Sequence, residues 1–158
     1  MKAVLQRVRW AEVQAAGRTV GQIEQGLLVY VGIGADDGPD DAQRLAQKVA
    51  ALRIFEDDDG KLNRSVQDVR GGVLAIPNFT LMADARKGRR PAFVDAARPE
   101  QAKPLYDAFL AALRGAGVPV ANGAFGARML IRSAADGPVN IILDTRLGNE
   151  SPGAEGLE

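Results

Sequence analysis

The sequence predicts an α+β fold in which a curved, antiparallel-rich, barrel-like sheet carries two packed helices. Three observations lead to this prediction. Strand patterns outnumber helical ones, the first elements along the chain are consecutive strands, and two segments place apolar residues at helical spacing. A chain of 158 residues, of which 46% are hydrophobic and 25% charged, is long and apolar enough for one such core.

Strand patterns dominate the first third of the chain. A strand region is expected to begin at residues 4–8 and to continue through 13–15, and a second short strand at 19–23 follows a turn at 17–18. The apolar run at residues 26–34 is bounded by glycines and contains β-branched side chains. This run predicts a fully buried strand.

Two helices are predicted downstream. Pro39 and the acidic residues after it begin the first, because Pro suits the first helical turn and carboxylates favour the positive end of the helix dipole. Its apolar face has helical spacing: Ala42, Leu45, Ala46, Val49 and Leu52. The second helix is expected at residues 100–113, with Pro99 at its start and the glycine-rich residues 115–117 at its end.

The remaining elements are short. Four more strands are expected, at residues 53–55, 73–76, 127–131 and 139–143. Turns are expected at 57–61 and 136–138. Because no linker or repeat interrupts the chain, residues 1–146 are expected to form a single domain, and the polar residues 147–158 to form a disordered tail.

Cysteine and histidine are both absent from the sequence. Thiolate nucleophiles, Ser-His-Asp catalysis and metal sites built on these two residues are therefore excluded. An enzyme with this sequence must use carboxylates, lysine, hydroxyls, main-chain dipoles or groups of its own substrate. No metal or other cofactor is predicted.

Charge and hydropathy indicate where the protein acts. The 20 basic and 20 acidic residues cancel, so any nucleic-acid contact must come from a local patch, and DNA is not an expected partner. The sequence shows neither a signal-peptide pattern nor an apolar run long enough to span a bilayer. A cytoplasmic protein that binds no membrane is expected.

The segment from Pro77 to Leu81 is the first candidate site. It follows a buried strand and places Asn78 and Thr80 at the strand end, where functional groups are often carried. Main-chain N–H groups after the proline could stabilise an oxyanion. The alternative is an ordinary strand exit with a core Phe79, and the pentapeptide by itself favours that alternative.

Two turn-like segments also allow more than one interpretation. Asp136-Gly137-Pro138 is typical of a hairpin turn, and its peptide isomer stays open because only about 5–6% of X-Pro bonds in folded proteins are cis. The acidic run at 57–59 lacks the length and spacing of a calcium-binding loop. A solvated acidic turn is the favoured interpretation there.

The basic residues pose a similar choice. One cluster fits either a phosphate-binding loop or a solvated surface loop: Arg86, Lys87, Arg89 and Arg90. Arg7 shares a strand face with Leu5, and a buried arginine needs a partner or a ligand.

Eight short segments complete the pattern. In chain order they are Gln6-Arg7-Val8, Gly26-Leu27-Leu28-Val29, Arg53-Ile54-Phe55, Gly60-Lys61-Leu62-Asn63, Asn78-Phe79-Thr80-Leu81, Arg90-Pro91-Ala92-Phe93, Leu105-Tyr106-Asp107 and Asp136-Gly137-Pro138-Val139. In this order and spacing they resemble the D-aminoacyl-tRNA deacylase family, formerly called D-tyrosyl-tRNA deacylases. The resemblance covers residues 1–145.

The resemblance implies a homodimeric, barrel-like hydrolase that cleaves the ester between a D-amino acid and the terminal adenosine of tRNA, with glycyl-tRNA as a further substrate. In the family, a Ser-Gln-Phe-Thr-Leu motif lines the pocket, and a cis Gly-Pro from the partner subunit excludes L side chains. By position, Phe79, Thr80 and Leu81 match the first motif, and Gly137 and Pro138 match the second. Met129 matches a position near the adenine.

These matches define the expected roles. Asn78, Phe79 and Thr80 are the expected catalytic residues, with main-chain N–H groups stabilising the oxyanion and a ribose hydroxyl assisting proton transfer. Thr80 as a covalent nucleophile is the rival mechanism, although no base is evident to activate it. The expected substrate contacts are Arg7, Pro77, Leu81 and Met129, and the expected contacts with the tRNA backbone are Arg86, Lys87, Arg89 and Arg90.

The chain departs from the family pattern at three positions, where Pro77 replaces Ser, Asn78 replaces Gln and Asn140 replaces Thr. Asn shortens the amide by one methylene, and Pro removes an N–H and a hydroxyl. A related branch acting on L-alanyl-tRNA also has Pro at this position, so relaxed chirality is one alternative. The others are an inactive dimeric tRNA- or nucleotide-binding relative and a metal-dependent hydrolase using residues 57–59.

Overall fold

The computed structural model describes residues 1–147, so the tail predicted at 147–158 lies almost entirely outside the described residues. The elements in chain order are β1 (Lys2–Ala15), β2 (Arg18–Ile23), β3 (Gly26–Gly32), α1 (Pro39–Ala51), β4 (Phe55–Glu56), β5 (Leu62–Arg64), β6 (Gly72–Pro77), a 3-10 helix (Phe79–Met82), α2 (Pro99–Gly115), β7 (Val120–Asn122) and β8 (Met129–Asp144).

The long strand β1 organises the main sheet, in which the order is β2-β1-β3-β6-β7 and β8 also pairs with β1. One edge of β1 pairs with β3 along residues 2–8 and with β2 along 11–15, while β8 follows the other edge. The sheet therefore curves back on itself until β2 approaches β7, where a Cβ added to Gly21 would lie 2.9 Å from the carbonyl oxygen of Asn122. The predicted α+β fold with a curved, antiparallel-rich, barrel-like sheet is confirmed, with parallel pairing between β3 and β6 and between β6 and β7.

One predicted interruption is wrong. The strand region expected to begin at residues 4–8 and continue through 13–15 is confirmed as the single strand β1, but the turn expected at 136–138 lies inside the continuous strand β8. The register between these two strands shifts next to Val8, so the extra residues of β8 bulge while the ladder continues on both sides. A glycine-proline pair in a long antiparallel ladder can thus be a bulge instead of a turn.

The core lies on both faces of the central strands. Odd-numbered residues of β3 pack with α1 and α2, and its even-numbered Leu28 packs inside the curved sheet with Val8 and Leu74. β3 is therefore buried on both faces, as its apolar run predicts. The buried hydroxyl of Tyr106 on α2 donates a 2.9 Å hydrogen bond to the carbonyl oxygen of Ala75, which ties the helix to β6.

The predicted acidic turn is confirmed between β4 and β5. Asp57 accepts hydrogen bonds from the main-chain N–H groups of Asp59 and Lys61 and from the amide of Asn63, and Asp58 pairs with Arg64. Within residues 1–147, no group of three or more acidic side chains has a metal-binding arrangement. In the same part of the chain, neither helix is long and apolar enough to cross a membrane.

Candidate active site

A cavity of about 610 Å³ opens at the carboxyl end of β6. Its wall is mainly apolar and combines Tyr30 of β3, Pro77 of β6, Phe79 of the 3-10 helix, Phe125 of the β7–β8 loop and Met129 of β8. A concave apolar pocket with few polar groups is the usual form of a small-molecule site. The structure therefore brings Pro77, Asn78, Phe79 and Met129 together at one cavity.

The β3–β6 pairing positions the motif. Pro77 pairs with Val31, and the N–H of Asn78 extends the ladder by donating a 2.8 Å hydrogen bond to the carbonyl oxygen of Val31. The chain then turns into the 3-10 helix over Gly32, where a Cβ would lie 2.9 Å from the Cβ of Leu81. Leu81 thus packs against β3 and does not line the cavity.

Asn78 caps this short helix. Its Oδ1 accepts a 3.1 Å hydrogen bond from the N–H of Thr80 and a second, short one from the Thr80 hydroxyl. Phe79 lines the cavity, and its N–H donates no hydrogen bond within residues 1–147, so it is one main-chain donor left available there. Of the two N–H groups predicted to stabilise the oxyanion, only that of Phe79 is available, because the N–H of Thr80 is hydrogen-bonded to the Asn78 side chain.

Among residues 1–147, the hydroxyl of Thr80 has no basic partner. It is hydrogen-bonded to an amide oxygen, and an amide does not accept a proton from an attacking hydroxyl at neutral pH. This geometry argues against Thr80 as a nucleophile and in favour of a positioning role.

Gly137 and Pro138 lie elsewhere on the molecule. Their peptide bond is cis, and both residues are exposed in the middle of β8. The flanking residues of β8 pair with Gln6 and Val8, whereas Pro77 is joined through Val31 to Ala3, at the beginning of β1. Neither residue lines the cavity of its own chain.

Arg7 is buried behind this segment and away from the cavity. Its Nε donates a 3.1 Å hydrogen bond to the carbonyl oxygen of Asp136, and one Nη donates a 2.9 Å bond to the carbonyl oxygen of Ile54. The Nε also lies 3.4 Å from the Asp136 carboxylate. Asp136, the residue immediately before Gly137, thus supplies a partner that this buried arginine requires.

The predicted basic cluster divides into two parts. Arg86 forms a two-pronged hydrogen-bonded ion pair with Asp84, which holds the pKa of that carboxyl well below its ordinary value. Lys87, Arg89 and Arg90 are exposed and form no ion pair within residues 1–147. The positive charge available to a ligand therefore belongs to the last three residues.

Two aromatic cavity residues are not predicted from the sequence. Tyr30 is the only polar side chain in the apolar run of β3, and burial raises the pKa of its phenol. Phe125 follows the short strand β7, for which the sequence carries no clear pattern. Tyr30 could have indicated the cavity from the sequence, because the hydroxyl of a tyrosine in a buried strand needs a cavity or a hydrogen-bond partner.

The fold and cavity define a class of protein, an α+β barrel-like domain with an apolar pocket and a free main-chain donor at its rim. The chain matches the family model described as D-Tyr-tRNA(Tyr) deacylase over residues 4–144. It belongs to that family, which confirms the predicted resemblance.

Relatives span nearly the whole chain. A D-aminoacyl-tRNA deacylase of Thermus aquaticus is 52% identical, over 97% of this chain and 99% of its own. A D-aminoacyl-tRNA deacylase of Chloroflexus aurantiacus is 53% identical, over 92% of this chain and 91% of its own. Among solved structures, the c-Myc DNA Unwinding Element Binding Protein superposes with a TM-score of 0.87 at 38% identity, over 92% of this chain and 99% of its own. A probable eukaryotic D-amino acid tRNA deacylase shares the fold with a TM-score of 0.78 and 19% identity, over 90% of this chain and 97% of its own.

Proposed function

We propose that this protein hydrolyses the ester that joins a D-amino acid to the terminal adenosine of tRNA, with glycyl-tRNA as a further substrate. The observation that carries the proposal is the free N–H of Phe79 at the rim of an apolar cavity, in a chain of this family. Since charged tRNA is made and used in the cytoplasm, we place the reaction there.

The site supports a mechanism without a protein base. Water attacks the ester carbonyl, and the N–H of Phe79 stabilises the oxyanion, a contribution of about 10²–10³ in rate for one such donor. The neighbouring ribose hydroxyl of the substrate relays the proton lost by the attacking water to the departing ribose oxygen, and the acyl C–O bond breaks to give the free amino acid and tRNA. Asn78 and Thr80 hold the turn that aims this N–H, while Pro77 and Met129 contact the substrate.

The chiral filter requires a second copy of the chain. Gly137 and Pro138 are exposed and remote from the cavity of their own chain, so they act in a pocket only when a partner subunit presents them. We propose a homodimer whose two sites each take this segment from the opposite subunit. Arg7 is then a positioning residue, because it binds the carbonyl oxygen directly before Gly137.

The first experiment measures hydrolysis of D-Tyr-tRNA, Gly-tRNA and an L-aminoacyl-tRNA by purified protein, with and without excess EDTA. We expect turnover of the first two in both conditions. If none of the three substrates is hydrolysed, the proposal is refuted. Loss of activity in EDTA would favour a metal-dependent hydrolase.

The capping role of Asn78 favours one variant of this function. Its amide oxygen is held within its own turn, so the amide, already one methylene shorter than that of glutamine, is drawn back from a partner loop that excludes L side chains. This observation supports relaxed chirality, with L-alanyl-tRNA as an additional substrate. Comparing kcat/KM for D-Ala-tRNA and L-Ala-tRNA tests it, and a strong preference for the D substrate would exclude it.

Pro138→Ala tests the shared site. Because Pro138 is exposed, we expect the variant to keep its thermal stability and to hydrolyse Gly-tRNA, but to discriminate less between D- and L-aminoacyl-tRNA. Unchanged discrimination in a stable variant would remove the role of this segment. A protein that binds tRNA without cleaving any ester would instead identify an inactive binding relative.

A further inference from the structure

An exposed aromatic pair lies beside the cavity. The rings of Phe79 and Phe93 meet edge to face with centroids 5.0 Å apart, although 59% of Phe79 and 38% of Phe93 are exposed. Val94, next along the chain, is 87% exposed. Phe79 lines the cavity and Phe93 does not, so the pair extends outward from the cavity rim. Adjacent exposed apolar side chains of this size are typical of a binding surface.

The free basic residues are joined to this pair by a short hairpin. Asp84 and Ala92 exchange main-chain hydrogen bonds of 2.8 and 2.9 Å, which closes the loop carrying Lys87, Arg89 and Arg90. Phe93 follows Ala92 directly. Cavity, aromatic pair and basic loop are therefore consecutive parts of one surface, and the three unpaired cations concentrate positive charge there in a chain of zero net charge.

We propose that this surface binds the unpaired nucleotides that directly precede the terminal adenosine of tRNA. A base stacks on Phe93, and Lys87, Arg89 and Arg90 bind the neighbouring phosphates. The inference rests on the proposed function and extends it from the terminal adenosine to the strand that carries it. Aromatic rings beside cations bind single strands, because only unpaired bases expose their faces for stacking.

The partner segment proposed to enter the cavity, Gly137 and Pro138, has no charged side chain, so it leaves the three cations of the basic loop without counter-charges. An RNA strand supplies the opposite charge at the spacing of its phosphates.

The first test measures binding separately from catalysis. Fluorescence anisotropy gives Kd for adenosine 5′-monophosphate and for the trinucleotide CpCpA, each labelled at its 5′ end. We expect CpCpA to bind at least about tenfold more tightly than the mononucleotide. We expect Phe93→Ala to weaken CpCpA binding by about tenfold and to leave the mononucleotide unchanged. Leu62→Ala, which removes a comparably exposed apolar side chain from β5, is the matched control and should change neither Kd.

The second test uses salt. The slope of log K against log salt concentration for CpCpA should become shallower by about 0.7 for each phosphate contact removed by Lys87→Ala, Arg89→Ala or Arg90→Ala. Lys48→Ala, in the last turn of α1, removes an exposed cation that does not line the cavity and should not change the slope.

The outcomes separate this inference from the proposed function. Equal affinity for the two ligands, or an unchanged CpCpA Kd in Phe93→Ala, would overturn the inference even if D-Tyr-tRNA is hydrolysed. A fall in molar mass of Phe93→Ala by light scattering would also overturn it, since the surface would then be covered by a second copy. Conversely, tighter CpCpA binding that depends on Phe93, without hydrolysis of any aminoacyl-tRNA, would support the inference and refute the proposed function.

Discussion

Asn78 shows how one side chain determines which main-chain donors a site can use. Its short amide reaches the N–H and the hydroxyl of Thr80, two residues ahead, and so closes a compact cap on the 3-10 helix. Glutamine, the residue of the resembled motif, has one more methylene and suits this two-residue cap less well. The substitution therefore directs the amide inward, towards its own turn.

Asn78→Ala should lower kcat about 5- to 10-fold, because loss of a cap worth about 1 kcal/mol loosens the turn that aims the Phe79 N–H. Single-turnover hydrolysis of D-Tyr-tRNA measures this change. Asn63→Ala is the matched control, since its amide also bonds within a turn but lies far along the chain from the cavity. A normal kcat in a stable Asn78→Ala protein would show that the cap does not serve catalysis.

At the scale of secondary-structure elements, the contact between β3 and the 3-10 helix fixes the position of the candidate site. Gly32 ends β3, and the absence of its side chain lets Leu81 and the carbonyl oxygen of Asn78 approach the strand. The 3-10 helix can therefore continue directly from β6 without moving away from the sheet.

Gly32→Ala should destabilise the protein by about 1–3 kcal/mol, because the new Cβ would lie 2.9 Å from the Leu81 Cβ and 3.1 Å from the Asn78 carbonyl oxygen. Urea unfolding measures the stability, and kcat/KM should fall as the turn is displaced. Gly115→Ala is the control, because its new Cβ would meet no atom of residues 1–147 within 4 Å. Equal stability of the two variants would contradict this account.

The acidic turn gives a pH-dependent prediction. Hydrogen bonds from the N–H of Lys61 and then from the amide of Asn63 hold the pKa of Asp57 below its ordinary 3.8 in the folded protein. The folded state therefore binds this proton less readily than the unfolded chain, so the stabilisation is complete above pH 3.8 and is lost as the pH falls through the lowered pKa.

Asp57→Asn should accordingly lower the melting temperature at pH 7, and its difference from the parent protein should shrink as the pH falls below 3.8. Asp59→Asn, whose side chain makes no hydrogen bond within residues 1–147, is the control. A difference that does not vary with pH would show that the charge of Asp57 is not responsible.

At the scale of the whole molecule, the first residue joins distant parts of the fold. The buried ammonium group of Met1 lies 2.7 Å from Oδ1 of Asp37 and 2.6 Å from the hydroxyl of Thr145. The other oxygen of Asp37 accepts a 2.6 Å hydrogen bond from the N–H of Gly34. The beginning of β1, the loop before α1 and the chain after β8 therefore meet at one ion pair.

Asp37→Asn should destabilise the protein by about 3–5 kcal/mol, because it leaves the buried ammonium without its counter-charge. Chemical unfolding measures the loss. Asp36→Asn is the matched control, since the neighbouring Asp36 is 91% exposed and lies 3.9 Å from Arg146. A loss below 1 kcal/mol for Asp37→Asn would mean that water, and not protein, surrounds this amine.

The sequence by itself determined the features that depend on neighbours along the chain. The period of apolar residues predicted both helices and the buried strand β3, the turn residues predicted the acidic turn, and the missing histidine and cysteine restricted the chemistry. The order of the motifs was sufficient to indicate the family.

Tertiary structure decided the features that depend on partners far along the chain. Arg7 binds residues 47 and 129 positions away, and no local pattern identifies those carbonyl oxygens. The continuity of β8 through Gly137 and Pro138 likewise depends on the β1 ladder beside it. Local preferences set which element a segment forms, but the pairing of distant strands sets which donors, cations and rings are left free. That pairing leaves the N–H of Phe79 available at the cavity rim.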